Sequence, residues 1–164
     1  MNFMTAEHGG QFVDTNVLVY AYDVTAGKKR EKAKNLLSTL WQSGEGSLSI
    51  QVLQEFYVTV TQKLFPPIPI DNAAQILADF AQWRVYAPKP ADLVAAIELQ
   101  RRYQLSFWDA MIVLAARRLH CRKIWSEDLT DGAVYDGIAI CNPFAESMQV
   151  QERPSGYDFA LPES

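Results

Sequence analysis

The sequence predicts an α/β protein built around a mostly parallel sheet. Two observations lead to this class: short apolar runs alternate with amphipathic segments of helical spacing, and Gly- or Pro-containing turns separate them. A length of 164 residues suits one domain with one hydrophobic core. The composition, 49% hydrophobic and 21% charged, is typical of an ordinary globular protein.

The first predicted element is a strand that ends at Val13 and passes directly into a helix. Asp14 is the only charged residue between Gln11 and Tyr20. Asp is a favoured N-cap residue, which is the simpler interpretation. A lone carboxylate at the end of a buried strand is also costly to desolvate unless a partner compensates it. A metal ion is one such partner, so both interpretations of Asp14 stay open at this point.

The remaining pattern continues the alternation. Apolar spacing predicts helices over residues 28–42, 51–64, 71–80, 90–103 and 106–120. Short apolar runs predict strands over residues 48–50, 83–86, 123–125 and 137–140.

Local signals refine the ends of these elements. Residues 65–70 contain three prolines and are expected to form a loop. Asp71 is expected to cap the following helix, and Pro90 suits the first position of the next one. The helix over 106–120 is expected to pack one apolar face on the core, formed by Trp108, Met111, Ile112, Ala115 and Leu119.

Composition limits the classes of function. No segment approaches the roughly 20 apolar residues of a membrane helix, and the first ten residues do not resemble a signal peptide. Cys121 and Cys141 form neither a metal-binding spacing nor a disulfide framework, so a reduced, cytoplasmic location is expected.

The charge distribution bears on nucleic-acid binding. The net charge of −4 argues against a protein that coats nucleic acid through charge alone. Basic residues do occur in clusters, each of which is first interpreted as a solvated helix face. These clusters are Lys28, Lys29, Arg30, Lys32 and Lys34; Arg101 and Arg102; and Arg117, Arg118, Arg122 and Lys123.

Other acidic residues follow predicted strands or begin predicted helices. Glu55 has apolar neighbours on its helix face, Val52 and Val58, and is not expected to point straight into solvent. Asp109 lies three residues after Ser106, the spacing of a capping box. Taken singly, each acid has a structural explanation, because helix N-termini favour negative charge by up to about 1 kcal/mol.

Together the acids predict a metal site. The ends of parallel strands and the starts of the following helices gather at one edge of an α/β sheet, so Asp14, Glu55, Asp109 and Asp128 are expected to meet there. Carboxylates this close repel one another unless a cation lies between them, and oxygen ligands select Mg²⁺ or Mn²⁺. Such a site can activate water and stabilise charge on a phosphoryl group.

Four blocks of sequence, in this order, carry a resemblance to a known family. They are FVDTNVL at 12–18, QEF at 54–56, FWDA at 107–110 and WSEDL at 125–129. With these blocks the chain, over about residues 11–143, resembles the PIN-domain ribonucleases, of the kind found as VapC-type toxins of toxin–antitoxin pairs.

The resemblance implies a three-layer α/β/α sandwich and a metal-dependent endoribonuclease that hydrolyses RNA with a metal-activated water. It implies that Asp14, Glu55 and Asp109 hold Mg²⁺ or Mn²⁺, directly or through water, with Asp128 as the fourth acid. Asn16 and Ser126 would orient the ligands or the attacking water. The adjacent Glu127 could replace Asp128, which leaves the fourth position open between the two.

The resemblance and the composition of the chain together set the expected domain limits and partners. A PIN-like domain is expected over residues 11–145, preceded by an extension at 1–10 and followed by a flexible tail at 146–164. The partners expected are an RNA substrate, an antitoxin protein and a second copy of the chain in a homodimer, with no membrane association.

Three alternatives remain to be weighed. One is a catalytically silent PIN module that binds RNA or a protein partner. A second is a haloacid-dehalogenase-type phosphatase, which is disfavoured because Asn16 stands where that chemistry needs a second carboxyl group. In the third, every acid is simply a helix cap.

Overall fold

The computed structural model describes residues 9–146, and within this range the chain forms six strands and six helices. The strands are β1 Gly10–Val13, β2 Gly46–Ser49, β3 Arg84–Tyr86, β4 Cys121–Trp125, β5 Val134–Tyr135 and β6 Ile138–Cys141. The helices are α1 Thr15–Tyr22, α2 Lys28–Ser43, α3 Ile50–Gln62, α4 Ile70–Phe80, α5 Pro90–Tyr103 and α6 Phe107–Arg118. The extension and tail expected at the two ends lie almost entirely outside the described residues.

The strands form one sheet in the order β3-β2-β1-β4-β6-β5. All neighbouring pairs are parallel except β5 and β6, which are antiparallel. The chain moves from β1 outward to β2 and β3, then returns to place β4 on the other side of β1. In open α/β sheets a crevice forms at this kind of reversal, outside the carboxyl ends of the strands. The predicted α/β/α fold with a mostly parallel sheet is confirmed.

The core is assembled from both sides of the sheet. Phe12, Phe56 and Phe80 are among the largest fully buried side chains. Helix α6 is enclosed more completely than a surface helix, because every residue from Ala110 to Ala116 is buried. This enclosure fixes α6 rigidly, and its first turn carries Asp109.

Most element boundaries differ from the sequence prediction by one or two residues, and two of the differences have a clear cause. Ile50 begins α3 rather than ending β2, because the Ser49 hydroxyl accepts a hydrogen bond from the Val52 amide at 3.3 Å and caps the helix. The prediction that Asp71 caps α4 is wrong. Pro69 occupies the N-cap position, its carbonyl accepting from the Ala73 amide, and Asp71 lies exposed in the first turn.

Strand β5 is absent from the sequence prediction because two residues are too few to show an alternating pattern. It pairs with β6 through a two-residue turn at Asp136 and Gly137, whose φ angles are 49° and 81°. Asp-Gly is a strong signal for such a hairpin turn and could have indicated it.

The prediction that Trp108 packs on the core is also wrong, since 63% of this residue is exposed. Helical spacing alone places it in line with Met111 and Ile112. It lies, however, in the first turn of α6, ahead of the buried segment at 110–116, where little covers it. None of the helices within residues 9–146 has the length and apolar character needed to cross a membrane.

Candidate active site

The acids selected from the sequence come together at the edge where β1, β2 and β4 end. Asp14 follows β1 directly, Glu55 lies in α3 just after β2, and Asp128 lies in the turn after β4. Asp109 belongs to the first turn of α6. The charges of Asp128 and Glu55 act on both Asp14 and Asp109, so the four acids share one electrostatic environment.

Asp14 is buried, with 6% of its surface exposed. One carboxylate oxygen accepts a hydrogen bond from the Thr15 amide at 2.8 Å, which makes Asp14 the N-cap of α1. The other oxygen accepts a bond of 2.7 Å from the Ser126 hydroxyl. The cap interpretation of Asp14 is therefore confirmed, and the same carboxylate also faces the turn after β4.

Ser126 joins the ends of β1 and β4. Its fully buried hydroxyl donates to Asp14 and accepts from the amides of Asp128 and Leu129, both at 3.1 Å. One hydroxyl therefore closes the turn after β4 and fixes that turn against Asp14. This arrangement depends on a small side chain that can both donate and accept.

Asn16 bridges the same two segments from the first turn of α1. Its amide nitrogen donates to Asp128 at 3.0 Å and to Asp14 at 3.4 Å. Its amide oxygen accepts from the Glu127 backbone N–H at 3.1 Å. These bonds direct the Asp128 carboxylate towards Asp14.

Glu127 points away from this cluster. Its carboxylate forms an ion pair of 2.7 Å with Lys29 and accepts a hydrogen bond of 2.8 Å from the Tyr20 hydroxyl. The Lys29 ammonium also lies 4.9 Å from the centre of the Tyr20 ring, within cation–π range. Of the two adjacent acids, Glu127 is thus neutralised by α2, and Asp128 lies beside the other carboxylates.

Glu55 lies at the rim, and the prediction that it avoids solvent is wrong. The residue is exposed, and its neighbour Val58 is 40% exposed. The reason is that α3 packs on the core through Val52, Phe56 and Val60, whereas Glu55 lies off that face. The carboxylate is nevertheless held in place by the Thr15 hydroxyl at 2.8 Å and the Gln51 amide at 3.1 Å.

Asp109 is partly buried in the first turn of α6. The Ser106 hydroxyl accepts a hydrogen bond from the Asp109 amide at 3.1 Å, which confirms the predicted cap. Desolvation raises the pKa of the Asp109 carboxyl, the Ser106 hydroxyl lowers it in part, and the charges of Asp128 and Glu55 raise it further. This acid therefore resists ionisation more than a surface aspartate does.

The pKa of Asp14 is raised to about 6, mainly because burial disfavours its charged form. Hydrogen bonds from Ser126 and Thr15 oppose the shift, and the charges of Asp128 and Glu55 add to it. At neutral pH the site thus holds excess negative charge that the surrounding hydrogen bonds only partly stabilise. A bound cation would remove that penalty.

The donor set fits a hard divalent cation, because all four acids present oxygen. The ion pairs formed by Lys and Arg among the described residues go to other carboxylates, not to these four. Within residues 9–146, however, no three His, Cys, Asp or Glu side chains are already placed together as ligands of one ion. The acids share a charged environment without forming a closed ligand cage.

Several supporting residues are missed by sequence reasoning. Thr15 and Gln51 hold Glu55, while Tyr20 and Lys29 hold Glu127. Thr15 lies between two selected residues and Gln51 lies one helical turn before Glu55, so both were within reach of a spacing argument. The ion pair of Lys29 with Glu127 joins residues far apart in sequence, and no local sequence pattern indicates it.

Several residues of the basic clusters form ion pairs with carboxylates of the protein itself. Arg102 and Arg117 both pair with Asp136, and Arg118 pairs with Asp92. Arg122 pairs with Glu45 at 3.4 Å. These cations are therefore not simply a solvated surface, and those ion pairs reduce the charge available to attract phosphate.

Replacing Asp14 by Asn should change how stability depends on pH in metal-free buffer. The pKa of about 6 in the folded protein exceeds the ordinary 3.8, so ionisation of Asp14 opposes folding. That penalty is absent below about pH 4, grows between about pH 4 and 6, and levels off above pH 6 at about 3 kcal/mol. The free energy of unfolding of Asp14→Asn, relative to that of wild type, should therefore rise by about this amount between pH 4 and 8. Urea unfolding in EDTA measures the difference.

Asp71→Asn is the matched control, since Asp71 is an exposed acid in the first turn of a helix. Its stability relative to wild type should change little over the same pH range. A difference between Asp14→Asn and wild type that is independent of pH would contradict the desolvation of Asp14.

A family model identifies the family of this chain, and solved structures share its fold. The family model for the PIN domain matches residues 12–130, well over half of the chain. A search of curated proteins found no match. Solved structures share the fold at low sequence identity. VapC20 of Mycobacterium tuberculosis, described as a sarcin–ricin loop cleaving toxin, has a TM-score of 0.55 and 20% identity, covering 73% of this chain and 90% of its own.

Two further structures agree. A toxin–antitoxin complex from Klebsiella pneumoniae gives a TM-score of 0.59 at 18% identity, over 82% of this chain and 98% of the matched one. FitAcB from Neisseria gonorrhoeae gives a TM-score of 0.52 at 15% identity, over 81% of this chain and 97% of the matched one. At these identities the likeness concerns the fold, and the family model supplies the assignment. This chain belongs to the PIN domain family.

Proposed function

We propose that this protein is a metal-dependent endoribonuclease and the toxin of a toxin–antitoxin pair. The observation that carries the nuclease proposal is the meeting of Asp14, Glu55, Asp109 and Asp128 at one edge of the sheet. The charges of Asp128 and Glu55 raise the pKa of both Asp14 and Asp109, an arrangement that helix capping alone would not require. Membership of the PIN domain family supports the same chemistry.

In this proposal the four carboxylates hold Mg²⁺ or Mn²⁺, directly or through water. A bound divalent ion supplies an acidified water and stabilises charge on the phosphoryl group. Asn16 keeps Asp128 turned towards Asp14, and Ser126 fixes Asp14 to the turn after β4. Thr15 and Gln51 orient Glu55. No side chain acts as a covalent nucleophile, so these residues place the ion and restrict how the phosphodiester can approach.

The partner proposals have separate support. VapC20 is described as a toxin and the Klebsiella pneumoniae structure as a toxin–antitoxin complex, which supports an antitoxin partner for this chain. A homodimer is proposed from the family resemblance. Exposed apolar side chains on α5, at Leu93, Val94 and Ile97, offer one face that a second copy could cover.

Cleavage of mixed RNA tests the enzymatic proposal. Wild type should cleave with Mg²⁺ or Mn²⁺ and lose activity in EDTA. Asp109→Asn should lower the rate by more than about 100-fold, the upper end of the loss seen when a residue supporting a metal ligand is removed. Asn16→Ala and Ser126→Ala should cost about 10–100-fold because they orient the acids. Equal cleavage in every sample would reveal a contaminating nuclease, whereas RNA binding without cleavage would favour the silent module.

Paired substitutions decide which acid occupies the fourth position. Asp128→Asn should lower cleavage as strongly as Asp109→Asn, because Asn16 turns Asp128 towards Asp14. Glu127→Gln should retain most of the activity, because Glu127 faces Lys29 and Tyr20 instead. Initial rates at saturating metal, with melting temperatures to confirm folding, measure both. The reverse order of effects would assign the fourth position to Glu127.

A further inference from the structure

Trp108 is an exposed aromatic side chain next to the acidic cluster. It is 63% exposed, whereas Trp41, Trp83 and Trp125 all pack in or against the core. Its ring makes a T-shaped contact with neighbouring Phe107 at 5.3 Å. An indole in this position keeps a large apolar surface in water, which is a net cost unless something covers it.

The backbone at Trp108 is tied to the proposed catalytic residues. Trp108 directly precedes Asp109, and its carbonyl oxygen accepts a hydrogen bond of 3.4 Å from the Gln51 side chain. The same Gln51 nitrogen donates to Glu55 at 3.1 Å. One amide group therefore links the first turn of α6 to Glu55, which places the Trp108 backbone beside the acidic cluster.

An RNA strand approaching this cluster gains from attraction that does not depend on charge. The chain has a net charge of −4, and several arginines are already paired with carboxylates. Base stacking on an aromatic side chain supplies about 1–3 kcal/mol per base without neutralising a phosphate. The base must be unpaired, because both of its faces are occupied inside a duplex.

We propose that Trp108 forms a subsite that stacks an unpaired base of single-stranded RNA beside the cleavage site. The inference rests on the proposed ribonuclease function and assigns to one residue of this chain a role in binding the substrate. Trp108 here binds substrate, and the acids beside it hold the metal. A neighbouring unpaired nucleotide is thereby anchored close to the phosphodiester that is cut.

Binding of a labelled single-stranded oligoribonucleotide, measured by fluorescence anisotropy with Mg²⁺, tests this subsite. An Asp128→Asn background limits cleavage during the measurement. Trp108→Leu should weaken binding by about 5- to 150-fold, the range that corresponds to loss of one stacked base. Trp108→Tyr should restore most of the affinity, since it keeps an aromatic face. Phe65→Leu is the matched control, because Phe65 is 87% exposed in the loop beyond the far end of α3.

Two readouts separate stacking from other roles. Trp108→Leu should leave the dependence of log Kd on log salt unchanged, because stacking releases no counterions. It should also leave binding of the same sequence annealed to its complement unchanged. Equal binding of single-stranded RNA by wild type and Trp108→Leu would overturn the subsite, as would equal weakening on single strand and duplex. A loss of dimer mass with unchanged RNA binding would assign Trp108 to a protein interface instead.

The outcome for the subsite is distinguishable from the outcome for the nuclease. Wild type and Trp108→Leu that cleave and bind RNA equally, with activity lost in EDTA, would remove only the subsite. Wild type that neither binds nor cleaves RNA would remove the proposed function and the subsite together. Melting temperatures of the three variants, expected near that of wild type, exclude misfolding as the cause of a loss.

Discussion

Burial of the Asp14 carboxylate at the end of β1 is the constraint on which the rest of the site depends. The group is 6% exposed, and its pKa is raised to about 6 because water has been removed around it. Thr15, the next residue, and Ser126, after β4, each donate one hydrogen bond to it, and Ser126 is within reach because β1 and β4 are adjacent in the sheet. Asn16 bonds both Asp14 and Asp128 and so holds the second acid beside the first. The sheet order and the turn after β4 therefore supply the groups that stabilise one buried carboxylate.

A site of this charge does not attract RNA by itself. The ion pairs of Arg102 and Arg117 with Asp136, and of Lys29 with Glu127, show that part of the positive charge is already paired with carboxylates of the protein. In the proposed mechanism a bound divalent ion would reduce the local negative charge, and stacking on Trp108 would add affinity that does not depend on charge. The protein would then bind RNA at one place on its surface, where the metal contacts the phosphodiester and Trp108 stacks an unpaired base.

Much of the fold and most of the site can be predicted from the sequence, because both depend on local signals. Apolar alternation indicates the parallel strands, and the position of Asp14 immediately after one of them indicates its cap. What local signals cannot supply is the direction of a side chain whose partner is distant in sequence. Glu127 and Asp128 are adjacent acids, and only Lys29 on one side and Asn16 on the other separate their orientations. The prediction for Trp108 is wrong for a related reason. Helical spacing gives the direction of its side chain around α6, but it does not tell whether other parts of the protein extend far enough to cover that side chain.

The central claim is that the acids are held together at a cost that a divalent cation relieves. Thermal melting at pH 7.5, with Mn²⁺ added to metal-free protein, tests it most directly. Wild type should gain about 5–10 °C once Mn²⁺ exceeds its Kd by about 100-fold, because metal that binds only the folded state stabilises that state. Asp14→Asn should melt higher than wild type without metal and gain much less from Mn²⁺. Melting temperatures that Mn²⁺ leaves unchanged, or raises equally in both proteins, would contradict this account.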